Sequence, residues 1–254
     1  AALALLPLIV ARGLVPQLLA NKRHMVVIGM LNGGIPSACY AFAVLHINTG
    51  LSAILNATSP MFAALIGWLW LSQRLTHWRI AGLAIGFVGV VLLAGEQAAL
   101  KGDALWLSLL AMLLCLMATL CYGITGNYSK RYLGHIDPLV TAGGTLLGAS
   151  LVLAVPAWLT WPSAAPSLGA WGAVTALALL CTAVAFVLYF ELIRRTDALK
   201  TMSVTYVIPV FALLYGVVFL DEHITLWMVL SGLVVVLGTA LATGLIRKNP
   251  SVTS

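Results

Sequence analysis

The sequence predicts an all-α polytopic membrane helix bundle, and three observations carry that prediction. Of its 254 residues, 62% are hydrophobic and only 8% charged, with a mean hydropathy of +1.06. A soluble domain of that composition would face water with mostly apolar surface. The apolar residues come in continuous runs of roughly 20, the length that crosses a hydrocarbon core as a helix, and not in the alternation of a β-barrel. The third observation is a repeat. Pro60, Phe62, Ala63, Leu65 and Gly67 return 149 residues later as Pro209, Phe211, Ala212, Leu214 and Gly216. The match continues without a gap through Thr76/Thr225, Trp78/Trp227, Gly89/Gly238 and Gly95/Gly244, and reaches back to Tyr40/Tyr189 and Pro7/Pro156.

Eight runs are long enough to span, near 25–46, 51–72, 78–95, 104–127, 137–160, 169–193, 200–220 and 225–246. Residues 1–11 are an apolar remnant too short to cross, with no cleavable signal visible. In the first span, Gly33, Gly34 and Pro36 predict a break, flanked by Asn32, Ser37 and Tyr40. In the second, Asn56, Thr58 and Ser59 immediately precede Pro60. A mid-helix proline removes a backbone hydrogen bond and bends the helix, which a membrane tolerates where protein or a wet cavity surrounds it. The third span carries Gly82, Gly86 and Gly89, and the fifth Gly144 and Gly148, small faces that let helices approach closely. The fourth offers Thr119, Tyr122 and Thr125, and the sixth Tyr189, with Glu191 spaced to pair with Arg195. Ser203, Thr205 and Tyr206 stand before Pro209 in the seventh. Trp78, Trp106, Trp158, Trp161, Trp171 and Trp227 lie at span ends, as an interfacial belt requires.

Charge placement sets the topology. Of 13 lysines and arginines, only Lys101 falls outside one alternating set of loops, so those loops and the C-terminus are expected on the cytoplasmic side. The net charge of +6 is therefore a topology signal and no nucleic-acid patch. Cys39, Cys115, Cys121 and Cys181 lie within spans as small packing residues. His24, His46, His77, His135 and His223 sit at span ends and do not gather, so neither a metal nor another cofactor is expected.

Residues 1–11 correspond to 150–160, the end of a span, so the first repeat holds three helices and a fragment where the second holds five. The repeat predicts about 45 further residues upstream in the natural protein. Five spans per repeat is odd, so corresponding helices cross in opposite directions: the Arg74/Arg79 loop inside, its counterpart Asp221-Glu222-His223 outside. This divides the chain into residues 1–99 and 100–254, two inverted copies of one unit, the organisation in which secondary transporters hold solutes near the midplane.

The polar side chains that can line such a site are Asn32, Ser37, Tyr40, Asn56, Ser59, Tyr122, Tyr189, Thr205 and Tyr206, with Pro36, Pro60 and Pro209 as helix breaks. Each has a structural alternative, since serine and threonine back-bond to their own helix and a phenol ties two helices together. No lysine or arginine lies at mid-span, which disfavours phosphorylated solutes. Tyrosines, hydroxyls and amides suit a small neutral or zwitterionic one.

The proline helices Ser59-Pro60-Met61-Phe62-Ala63-Ala64-Leu65 and Ile208-Pro209-Val210-Phe211-Ala212 each lead to a turn and a threonine (Ser72-Gln73-Arg74-Leu75-Thr76; Asp221-Glu222-His223-Ile224-Thr225) and then to a glycine-bearing helix (Gly82 to Gly95; Gly232 to Gly244). With these features the chain resembles the drug/metabolite transporter superfamily, in particular its ten-helix proteins with two EamA-type domains. The resemblance implies two inverted five-helix EamA-like repeats around a central cavity, in a bacterial inner membrane. It implies export of amino acids or similar metabolites by alternating access. The family's first helix commonly contributes to the cavity and is missing from this chain. Gln73 stands where the second repeat has Glu222, and both are expected to cap or brace helices. A proton-coupled multidrug exporter is the alternative within transport; a non-transporting receptor or an enzyme is the alternative outside it. Substrate, coupling ion and oligomeric state are not written in these residues.

Overall fold

The computed structural model describes residues 1–72, 76–100, 105–161, 165–185, 188 and 207–244, with backbone alone at 96–100. The described residues form helices and no strand. Six helical segments are long and apolar enough to cross a membrane: Lys22–Ala43, Thr49–Leu71, His77–Gly95, Leu105–Tyr132, Pro138–Leu159 and Leu226–Thr243. The helices at Ala2–Ala11, Leu168–Val184 and Ile208–Leu220 are apolar and shorter. Of the turns expected from sequence, Gln73 and Arg74 lie outside the described residues, as do Tyr189, Glu191, Arg195, Ser203, Thr205 and Tyr206.

The chain packs as two compact units, residues 1–35 with 128–201, and 36–127 with 202–254. In the first, α1 (Ala2–Ala11), α2 (Val15–Ala20) and α3 (Lys22–Gly29) pack on α9 (Pro138–Leu159). The backbones of α3 and α9 nearly touch, for a Cβ added at Gly29 would lie 2.6 Å from the Gly148 backbone. Met25, Ile28, Leu133, Ile136 and Val140 close the core beside that crossing.

The first span departs from expectation. Pro36 does not break it: Met30–Gly34 widens into a π-helical turn, in which the Ile35 N–H reaches back to Met30 O, and α4 (Ile35–Ala43) continues from it. The wider turn accommodates the missing donor of Pro36, and Gly33 and Gly34 have no side chain to crowd it.

The second unit contains α4 from Pro36 onward, α5 (Thr49–Asn56), α6 (Ser59–Leu71), α7 (His77–Leu100), α8 (Leu105–Tyr132) up to Asn127, α11 (Ile208–Leu220) and α12 (Leu226–Thr243). Helix α10 (Leu168–Ala176) and the π-helical Leu177–Val184 belong to the first. Here the predicted break is present. Between α5 and α6, Ala57 and Thr58 leave the helical ladder as a turn. Pro60 has no N–H to give the Asn56 carbonyl, and the Ser59 hydroxyl takes that place at 2.7 Å. Thr58 Oγ1 donates to Leu55 O at 2.7 Å, alongside the Thr58 N–H at 3.0 Å, and lies 3.2 Å from Thr119 Oγ1 of α8. Leu51, Ile54, Leu55 and Met61 are fully buried around the break.

Helices α7 and α12 cross antiparallel on their glycines: Gly82 faces Ala242, Gly86 faces Gly238 and Gly89 faces Val235. Gly238 is the counterpart of Gly89 at the 149-residue shift, and Val235 that of Gly86, so the last two contacts exchange into one another. Other matched positions share local geometry. Helices α6 and α11 are both 13 residues, and end at Ser72 and Asp221 with φ of 52° and 50°. Their cap N–H groups bond Gly67 O and Gly216 O. The π-helical turn at Met30–Gly34 falls, on the same shift, inside the π-helical Leu177–Val184.

Candidate solute-binding cavity

The break in the second span borders a cavity of about 300 Å³ lined by Tyr40, Val44, Thr49, Ser52, Ala53, Asn56, Tyr122 and Ile208. Helix α5 supplies four of these at positions that fall on one side of a 3.6-residue helix, Thr49, Ser52, Ala53 and Asn56. Asn56 is the centre of the polar lining. Its side-chain oxygen accepts the Tyr40 phenol at 3.0 Å and lies 3.2 Å from Ser59 Oγ. With Oδ1 so engaged, the two amide N–H donors of Asn56 have no partner among the described residues and are available to a solute. The Tyr40 and Tyr122 rings stack at 6.5 Å between centroids with 20° between planes, which fixes the Tyr40 phenol over Asn56 and gives the cavity an aromatic wall.

At its other end the lining is held by a carboxylate. Glu222, in the turn after α11, accepts the Thr49 N–H at 2.8 Å through Oε1 and the Thr49 hydroxyl at 2.9 Å through Oε2, with the Gly50 N–H 3.4 Å from Oε2. These are N–H groups that the first turn of a helix leaves without a partner, and an anion there also complements the helix dipole. Gly216 makes room, since a Cβ there would lie 2.6 Å from Glu222 Oε2. Glu222 thus braces a helix, as expected from sequence, and its charge is spent on α5. Among the described residues, none that line the cavity is charged.

Of the sequence-predicted residues, Tyr40, Asn56 and Tyr122 line the cavity, and Ser59 stands behind Asn56. Pro60 begins α6 at the break, and Pro209 sits in the first turn of α11 beside the cavity residue Ile208. Ser37 is exposed on α4 and is not one of the lining residues, and Asn32 lies half-buried in the π-helical turn. Tyr189, Thr205 and Tyr206 fall outside the described residues. Sequence reasoning missed Thr49 and Ser52, although their spacing from Asn56 was the available signal. Among the described residues no group of histidine, cysteine or acidic side chains can hold a metal.

A multi-pass helical protein with a polar, solute-sized cavity beside a broken span has the form of a membrane transporter. The chain belongs to the EamA-like transporter family, whose model matches residues 1–95 and 109–244. It is 25% identical over 238 residues to the uncharacterized transporter YoaV of Bacillus subtilis, covering 89% of this chain and 78% of that protein. It is 28% identical over 174 residues to the uncharacterized inner membrane transporter YedA of Escherichia coli K12, covering 67% and 54% of the two. A probable terminal-alkyne amino-acid exporter of Streptantibioticus cattleyicolor is 26% identical over 181 residues, 70% of this chain and 58% of the exporter. A solved crystal structure superposes with a TM-score of 0.66 over 99% of this chain and 85% of its own, at 22% identity, a likeness of fold.

Proposed function

We propose that this transporter exports small neutral or zwitterionic metabolites, amino acids first among them, by alternating access between two inverted repeats, to which residues 1–99 and 100–254 belong. The observation that carries the reading is the Tyr40, Asn56 and Tyr122 lining at the break in Thr49–Leu71. It offers amide donors, hydroxyls and aromatic faces in about 300 Å³, the lower end of the roughly 300–1,000 Å³ usual for small-ligand sites. Such a lining recognises a compact polar solute and, among the described residues, offers no cation for a phosphate ester.

The inverted repeat is supported by the exchanging contacts of α7 and α12. Two antiparallel helices that meet at matched positions, Gly86 on Gly238 and Gly89 on Val235, are related as an in-plane pseudo-two-fold axis would relate them. The paired left-handed caps at Ser72 and Asp221 support the same alignment. Alternation of basic loops supports a cytoplasmic C-terminus, and the inner membrane is the location named for YedA. Amino acids as solutes draw support from the name of the Streptantibioticus exporter.

The test is uptake of radiolabelled amino acids by liposomes holding the purified protein. Saturable movement of at least one is expected. Binding without movement would make the protein a receptor, and no interaction with any amino acid would overturn the substrate assignment.

A further inference from the structure

Thr125 of α8 is 8% exposed, and its hydroxyl has no hydrogen-bond partner. A threonine inside a helix normally meets its need locally by donating to a carbonyl three or four residues back. Thr119, Thr141, Thr145, Thr239 and Thr243 all do so. Thr125 does not, and it is the one buried side-chain polar atom among the described residues left without a partner. Buried hydroxyls are almost always paired, so an orphan marks a group that something else pairs.

The place of Thr125 on its helix points to what that is. The side of α8 that meets α6 is defined by Thr119 against Thr58, Gly123 against Phe62 and Ala63, and Asn127, whose amide donates to Ala63 O at 2.9 Å. At about 100° per residue, Thr125 lies well round from that side. It stands one turn beyond Tyr122, on the flank that the two share, and Tyr122 lines the cavity.

We infer that Thr125 is a second solute contact, one turn past Tyr122 toward the Lys130 and Arg131 end of α8, where its hydroxyl pairs with a polar group of the solute on its way into the cavity from the cytoplasmic side. The inference rests on the transport reading but not on the identity of the solute. Its chemistry is that of a neutral hydrogen-bonding contact, which holds a passing amino or carboxyl group weakly enough to release it.

The test is the reaction of Thr125→Cys with aqueous 2-aminoethyl methanethiosulfonate in liposomes, counted by intact mass against the natural protein. Thr119→Cys, on the α6 side, serves as the buried control. At least tenfold faster labelling of T125C than of T119C is expected; equal rates would overturn the inference. Labelling of T125C when the natural protein moves no amino acid would keep Thr125 on the path and remove the amino-acid assignment alone. Independently of the cysteine variants, Thr125→Val should raise the transport KM several-fold and Thr125→Ser should restore it. A T125V protein with a lowered melting temperature and an unmoved KM would contradict the inference.

Discussion

Pro36 and Pro60 pose the same chemical problem in two neighbouring spans, and the chain answers it in two ways. Each lacks an N–H and would leave a carbonyl four residues back without its partner. At Pro36 the backbone answers: Met30–Gly34 widens into a π-helical turn and the helix runs on. At Pro60 side chains answer: Ser59 and Thr58 hydroxyls cover Asn56 O and Leu55 O, and the helix stops for Ala57 and Thr58. The difference lies in the preceding residues, glycines that let a turn widen against hydroxyls that can replace a backbone donor. Only the second places an amide one turn before its proline on the cavity, where Tyr40 of α4 donates to it.

Four perturbations sharpen or break this contrast. The largest effect is expected of Asn56→Leu, which removes the amide donors and the acceptor of Tyr40 at once: transport should fall by at least about a hundredfold, some 2.8 kcal/mol at about 1.4 per factor of ten, with the protein still folded by its thermal transition. Next comes Pro60→Ala, which returns a donor for Asn56 O and lets the span close up. Its transport should fall about tenfold, roughly 1.4 kcal/mol, whereas Pro36→Ala, at a position where the helix is already continuous, should leave transport near the natural rate. Equal losses would dissolve the contrast between the two prolines. Ser59→Ala strips the replacement donor from Asn56 O and should cost about 1 kcal/mol of stability, seen as a lowered melting temperature; Ser37→Ala, at an exposed position, should cost nothing measurable. The smallest effect belongs to Glu222→Gln, which keeps a hydrogen-bonding side chain at the start of α5 but removes the charge, for about 0.3–1 kcal/mol. A loss as large as that of Asn56→Leu would mean that the carboxylate serves the solute and not the helix.

Much of this was legible in the residues themselves. Apolar runs of spanning length announced a membrane bundle, and the 149-residue repeat aligned positions that prove to share caps, π-helical turns and a glycine crossing. The break at Pro60 was readable because three polar side chains precede it. What misled was Gly33-Gly34-Pro36, which reads as a break by composition. Whether the chain breaks or widens depends on what the helix packs against, and Gly33 and Gly34 face Ala149 and Val152 of α9 too closely for side chains. Tyr40, Asn56 and Tyr122 were each identifiable as costly polar groups in an apolar run, but that they converge is a tertiary fact. Thr49 and Ser52 were passed over because each, taken singly, looks like a residue satisfied by its own helix; as a stripe with Asn56 they are the cavity wall.

The transport reading requires that the solute be held in the cavity beside the broken span. A ligand-bound structure of the purified protein with the amino acid it moves tests this most directly. The solute should lie between Tyr40, Asn56 and Tyr122 with the Asn56 amide donating to it; density at any other place in the bundle, with this lining empty, would contradict it.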